Sequence, residues 1–228
     1  MQYSLAESIH AKPHPENMMK NRLLVPLIIM SLLTASQLAC AQMPIGHTEP
    51  PIETNKAVVT IFTLLEAAEN GDVKAQLRLG EKYRDGDGVI QNNREAAKWI
   101  RKAAEQGYAS AQGVLGMTYS HGEVVKLDYG EAAKWYRLAA EQGDRLGQLG
   151  LGNLLKAGDG VPQDYVEAMK WYRLAADQGS VSAQYYIGGI YEDGLGVPQD
   201  IKEAIKWYHK AAAQGDDGAR LRLKELHE

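Results

Sequence analysis

From residue 71 onward, apolar and small positions recur every three to four residues in short runs, and each run gives way to glycine. Ala75, Leu79 and Tyr83 lie on one stripe, and Ala96, Trp99 and Ala103 lie on another. That is the spacing of helices that each bury one face. The two kinds of helix, A and B, alternate, and the whole pattern returns after 36 residues. Trp99, Trp135, Trp171 and Trp207 stand at that interval, and every tryptophan of the chain belongs to the series. The pattern predicts one helix-turn-helix unit written four times, from Gly71 to Gln214.

Aligned at this spacing, the units share most of their columns. In helix A, Ala75, Ala111 and Ala183, with Gly147 as the small exception, are each followed by Gln. Gly80, Gly116, Gly152 and Gly188 follow, and then Tyr83, Tyr119 and Tyr191, with Leu155 in the third unit. The small residues predict a close approach by a neighbouring helix. A glycine-rich turn comes next, Asp85-Gly-Asp-Gly-Val89 in the first unit, where glycine can end a helix in the left-handed conformation at little cost. The second unit reads His121-Gly-Glu-Val-Val125, so its turn is expected to be the most distorted. No strand precedes these glycines and no Lys-Ser or Lys-Thr follows them, which argues against a phosphate-binding loop.

Helix B opens on Asn92, Asp128, Asp164 and Asp200, each followed three residues later by Glu95, Glu131, Glu167 and Glu203. Paired carboxylates can carry acid-base chemistry. Four copies at one structural position read instead as capping boxes. The tryptophans, sharing a face with the alanines around them, are expected to be core residues. Helix B ends at Gln106-Gly107 and its equivalents. Upstream, Lys56 to Asn70 is a degenerate helix B with Thr63 in the tryptophan column. Downstream, Asp216 to Glu228 is a more polar helix A, as a closing repeat must be. The expected total is ten helices.

The amino-terminal part has a different character. Lys20 and Arg22 precede an apolar run, Leu23 to Leu33, which ends in small and polar residues and Ala39-Cys40-Ala41. A basic region, a short apolar region and an A-x-A site predict a signal peptide over residues 1–41, with Met18 or Met19 as an alternative start. The apolar run is short for a membrane span. Lipidation at Cys40 ranks below cleavage because Gln37, not Leu, stands three residues before it. Residues 42–54, with Pro44, Pro50 and Pro51, read as an extended leader, and residues 55–228 as the repeat domain. The expected location is periplasmic or secreted, with no stable membrane insertion after cleavage. Cys40 is the only cysteine, so the exported protein would be held together without disulfides. A net charge of -4 lacks the basic excess of a nucleic-acid binder.

The motifs A-Q-x-x-L-G, D-G-x-G-V and E-A-x-K-W-Y-x-x-A-A-x-Q-G, which cover nearly all of residues 57–227, resemble the Sel1-like repeats, relatives of the tetratricopeptide repeats. The resemblance implies an all-α, right-handed α/α solenoid with the A helices lining a concave face. It also implies a role as adaptor, scaffold or regulator in protein complexes. Some exported members are cysteine-rich and are linked to penicillin binding or β-lactam hydrolysis, but this chain has no cysteine in any repeat. It has no S-x-x-K, G-x-S-x-G or H-E-x-x-H, and its six histidines are scattered. No catalytic, cofactor or metal site is therefore assigned, and the chain is not expected to be an enzyme.

If invariant columns build the scaffold, the columns that differ between units can write recognition. One A-helix stripe, roughly opposite the core stripe, carries Lys74, Arg78 and Glu81 in the first unit and Val114, Met117 and His121 in the second. It continues through Leu146 and Asn153 in the third to Tyr186 and Asp193 in the fourth. Apolar anchors with charges at one end suit a groove for a protein segment; packing of the apolar members against the next repeat is the competing reading. The expected function is an exported protein-interaction scaffold or regulator whose partner is an envelope complex or sensor. An immunity protein that neutralises a toxic effector, such as a lipase, is the alternative, and a β-lactam or peptidoglycan enzyme ranks last.

Overall fold

The computed structural model describes residues 52–226. The expected signal peptide lies outside the described residues, as does the leader up to Pro51. Ten helices and no strands are found among the described residues. Helix α1 (Ile52–Glu69) is followed by four A/B pairs: α2 (Val73–Asp85) with α3 (Asn93–Glu105), α4 (Ala109–His121) with α5 (Tyr129–Glu141), α6 (Arg145–Ala157) with α7 (Tyr165–Asp177), and α8 (Val181–Asp193) with α9 (Ile201–Ala213). Helix α10 (Asp217–Glu225) closes the array. Helix α1 takes in residues 52–54, which were expected to be extended; the sequence signal for that start is Pro51 followed by acidic Glu53, the composition of a helix N-terminus.

Each B helix is capped as its sequence demands, but only half of the expected box forms. Asn92 and the aspartates at 128, 164 and 200 accept from the backbone N–H of the glutamate three residues on, at 2.8 to 3.1 Å. The glutamates do not reach back. The cap N–H groups at 92, 128, 164 and 200 already donate to Tyr83, Tyr119, Leu155 and Tyr191 at the ends of the A helices. Three of the freed glutamates turn to the lysine of their own helix, as in Glu131–Lys134 at 2.6 Å, and Glu167 turns to Arg137 at 2.9 Å. The A helices have caps of their own: Asp72, Asp144, Ser180 and Asp216 accept from the N–H three residues on, whereas Tyr108 offers no side-chain cap.

The core corrects the sequence reading in one column. Only Trp99 is buried, at 4% exposure; Trp135, Trp171 and Trp207 are half-buried. Within a pair, the centre is held by the next residue, Ile100, Tyr136, Tyr172 and Tyr208, all at 4% exposure or less. The glycine column exists to receive it. A Cβ on Gly116, Gly152 or Gly188 would stand 2.6 to 2.7 Å from the ring of Tyr136, Tyr172 or Tyr208, and one on Gly80 would stand 2.6 Å from Ile100. The tryptophans pack at the joints between units, Trp99 with Ala68 and Leu79, and Trp135 with Leu77 and Ile100. Trp99 is covered there, whereas Trp135, Trp171 and Trp207 each keep an exposed edge.

Successive units are joined by buried amides. Gln76, Gln112 and Gln148 donate to Ala68, Ala104 and Ala140 at the end of the preceding B helix, at 2.9, 3.2 and 3.5 Å. Their carbonyls accept from Gln106, Gln142 and Gln178 of their own unit at 2.6 to 2.8 Å, and Gln184 accepts likewise from Gln214. The two glutamines of the repeat, 30 residues apart, thus form one clip that satisfies polar groups buried in an apolar joint.

All four turns use a left-handed glycine, Gly86, Gly122, Gly158 and Gly194, with φ between 69° and 79°. The second turn keeps this cap and loses other ties. Gln91, Gln163 and Gln199 donate to the carbonyls of Arg84, Lys156 and Glu192 at 2.7 to 2.9 Å. The second unit has Leu127 there, 47% exposed.

Candidate partner-binding face

Among the A helices, α4 packs directly on α6. The residues that the A helices and α10 leave outside the core make up the candidate face. At its amino-terminal end Lys74 and Arg78 are exposed and make no ion pair among the described residues. Arg84 donates to Asp85 at 2.8 Å and holds its carboxyl below the usual range; Glu81, half-buried, adds to the negative field around Arg84. In the second unit His121 is exposed, with Nδ1 2.9 Å from the Met117 carbonyl. Val114 does not belong to the face. It is 8% exposed and packs with Leu77, Ile100 and Leu115, because the adjoining A helix covers its column there. Met117 and Leu146 are half-buried against the core and offer only an edge.

The face deepens towards its carboxy-terminal end. There the core tyrosines pass under the glycines and bring their hydroxyls to the A helices. Tyr172 donates to Asn153 at 2.8 Å, and Tyr208 donates to Glu192 at 2.6 Å; the Tyr136 hydroxyl lies 3.1 Å from Ser120. Burial raises the pKa of all three phenols, so they are neutral hydrogen-bonding groups rather than nucleophiles. Tyr186 stands between Tyr172 and Tyr185, ring centres 5.3 and 5.8 Å away. Lys156 lies over its ring at 4.3 Å from the centroid, a cation–π contact. Lys156, Tyr185, Tyr186 and Tyr208 line a cleft of about 290 Å³ with Glu192, Asp193 and Arg222. Arg222 of α10 closes its end by pairing with the nearly buried Glu192. Asp193 is exposed.

Four consecutive segments, residues 73–108, 109–144, 146–180 and 181–216, match the Sel1 repeat. The chain belongs to the Sel1 repeat family. Sel1 repeat proteins in general mediate protein–protein interaction rather than catalysis. A protective antigen of uropathogenic Escherichia coli strains, c5321, shares 42% identity and a TM-score of 0.70 over 73% of this chain and 36% of its own. A Sel1 repeat protein from Oxalobacter formigenes shares 37% identity and a TM-score of 0.65 over 73% and 48%. The chain thus spans between a third and a half of the length of these two structures. The immunity protein Pa5087 from Pseudomonas aeruginosa aligns at 20% identity with a TM-score of 0.48, over 78% of this chain and 71% of its own, a likeness too loose to bear on function. No curated protein matches the chain.

Of the residues expected from variable Sel1 columns, Tyr186 and Asp193 come together in the cleft, with Asn153 beside it through Tyr172. Lys74, Arg78, Glu81 and His121 are spread along the face away from it. The sequence reading missed Lys156, Glu192 and Arg222. Their signal was available: Lys156 and Glu192 share a column, Arg84, Ser120, Lys156 and Glu192, that varies as much as those chosen and stands one residue before that of His121 and Asp193, and Arg222 continues the chosen column of Arg78, Val114 and Tyr186 into α10.

Proposed function

We propose that this Sel1 repeat protein is an exported scaffold or regulator that binds a segment of a partner protein along its A-helix face, anchored at the Tyr186 cleft. The observation that carries this reading is the cleft itself: a partly exposed aromatic cluster, a cation on its ring and an unpaired carboxylate at the rim. Aromatic anchors in a concavity with a polar margin are the usual centres of protein recognition. Lys74, Arg78, Glu81, Met117, His121, Leu146 and Asn153 are assigned to the outer part of the contact. The partner is a component of an envelope complex or sensor, or, on the immunity reading, a toxic effector whose gene would adjoin this one.

The test is affinity capture from an envelope fraction with wild-type, Tyr186→Ala and Lys74→Ala/Arg78→Ala baits, followed by titration of the captured protein. Tyr186→Ala should weaken binding by about tenfold or more while melting stays close to wild type. Equal affinity for Tyr186→Ala would refute the assignment of the cleft.

A further inference from the structure

The opposite side of the solenoid has its own charge pattern. Helices α3, α5, α7 and α9 together carry eleven Lys and Arg against seven Asp and Glu, although the chain as a whole has a net charge of -4. The acids are sorted to the helix ends. Each B helix has a glutamate in its first turn, and the first three end on Glu105, Glu141 and Asp177; the two turns between hold no carboxylate in any unit. Across that band runs an exposed lysine row, Lys98, Lys134, Lys170 and Lys206. Three of these reach back to a glutamate. Lys170 does not, because Glu167 is taken by Arg137 at 2.9 Å and by Trp171 Nε1 at 3.2 Å.

One column further on, the outer units differ from the middle ones. Lys102 and Lys210 lie over the rings of Trp99 and Trp207, at 4.4 and 3.8 Å from their centroids. In the second and third units that position is Leu138 and Leu174, 45% and 46% exposed. The B-helix face is therefore apolar at its centre, where α5 and α7 each balance two basic residues with two acidic ones, and carries its excess of cations at both flanks, with the lysine row running across all four helices.

We propose that the B-helix face rests on an anionic lipid bilayer, with Leu138 and Leu174 entering the headgroup region and the lysine row meeting lipid phosphates. A bilayer fits better than an acidic protein because what this side presents is a row of cations at the 36-residue repeat and two partly exposed leucines at its centre. A surface of mobile anions can match such a row at any spacing. The A-helix face would then point away from the membrane, towards a partner.

The test is sedimentation of the full chain with vesicles of phosphatidylcholine alone and of equal parts phosphatidylcholine and phosphatidylglycerol. Binding is expected only to the second kind and should weaken as salt is raised. Lys134→Glu/Lys170→Glu should reduce it by at least about tenfold, and Leu138→Ser/Leu174→Ser should also reduce it, each with an unchanged circular dichroism spectrum. Lys74→Glu/Arg78→Glu, the same charge change on the other face, should leave it intact. Equal binding to both vesicles, no effect of the B-face variants, or an equal loss in the A-face control overturns the proposal. Capture of an acidic soluble protein through this face without vesicle binding also overturns it.

Discussion

Removing the Tyr172 ring should unfold the array far more readily than removing the tryptophan beside it. Tyr172 has no exposed surface, and its ring fills the space left by Gly152, where a Cβ would come within 2.7 Å. In Tyr172→Ala no side chain on Gly152 can move in to fill the cavity, so the full aromatic-to-alanine cost of about 3–5 kcal/mol applies. Trp171 is half-buried, and its loss should cost about 1–3 kcal/mol. Tyr172→Phe keeps the packing and gives up only the bond to Asn153, about 0.5–1.5 kcal/mol. Against a typical total of about 5–15 kcal/mol, these are separable by urea unfolding followed by far-UV circular dichroism, with the slope unchanged if only stability is altered. The expected order of midpoints is wild type, Tyr172→Phe, Trp171→Ala, Tyr172→Ala. A midpoint for Trp171→Ala at or below that of Tyr172→Ala would refute the assignment of the tyrosine column as the core.

Leu127→Gln should stabilise the protein by about 0.5 kcal/mol, because it restores to the second turn the amide tie that Gln91, Gln163 and Gln199 make in the others; an unchanged or lower urea midpoint would count against it. Burial holds the phenol protons of Tyr136, Tyr172 and Tyr208 more tightly in the fold than in the unfolded chain. Their contribution is complete below about pH 10 and is lost as pH rises beyond it. Phenolate absorbance should therefore lag in the folded chain and finish rising only with alkaline unfolding; full titration near the ordinary value with the helices intact would contradict this. Arg222→Ala should speed hydrogen exchange in α10 and leave the first two units unchanged, since each unit touches only its neighbours. Faster exchange throughout would show that the closing helix is coupled to the whole array.

The architecture was legible because a repeated sequence supplies its own comparison: helix number, unit length, left-handed glycines and B-helix caps all follow from columns that hold in four places. The division of labour inside a column was not. Trp171 and Tyr172 are adjacent and both recur, and helical spacing sets them about 100° apart around the helix, so the repeat alone does not say which of the two directions faces the core. The deciding fact lies in another helix, where Gly152 leaves room for the tyrosine ring alone. The capping boxes were half right for a similar reason: the competing acceptor for the cap N–H is the carbonyl of Tyr83 or its equivalent in the preceding helix, which no local motif reveals. At the candidate face, variation between units located Tyr186 and Asp193 but also selected Val114. Variability alone does not distinguish a residue that faces solvent from one that a neighbouring helix has covered.

The paired glutamines at the joints bear on how long such a molecule can be. Gln112 with Ala104 and Gln142, and Gln148 with Ala140 and Gln178, are the same joint made from the same residues. Excising residues 109–144 would bring Gln148 to the place of Gln112, with the acceptor on Ala104 already waiting. Length is therefore a variable this chain can change in steps of 36 residues while keeping the same glutamine clip at each joint, and the reach of the A-helix face would grow or shrink with it.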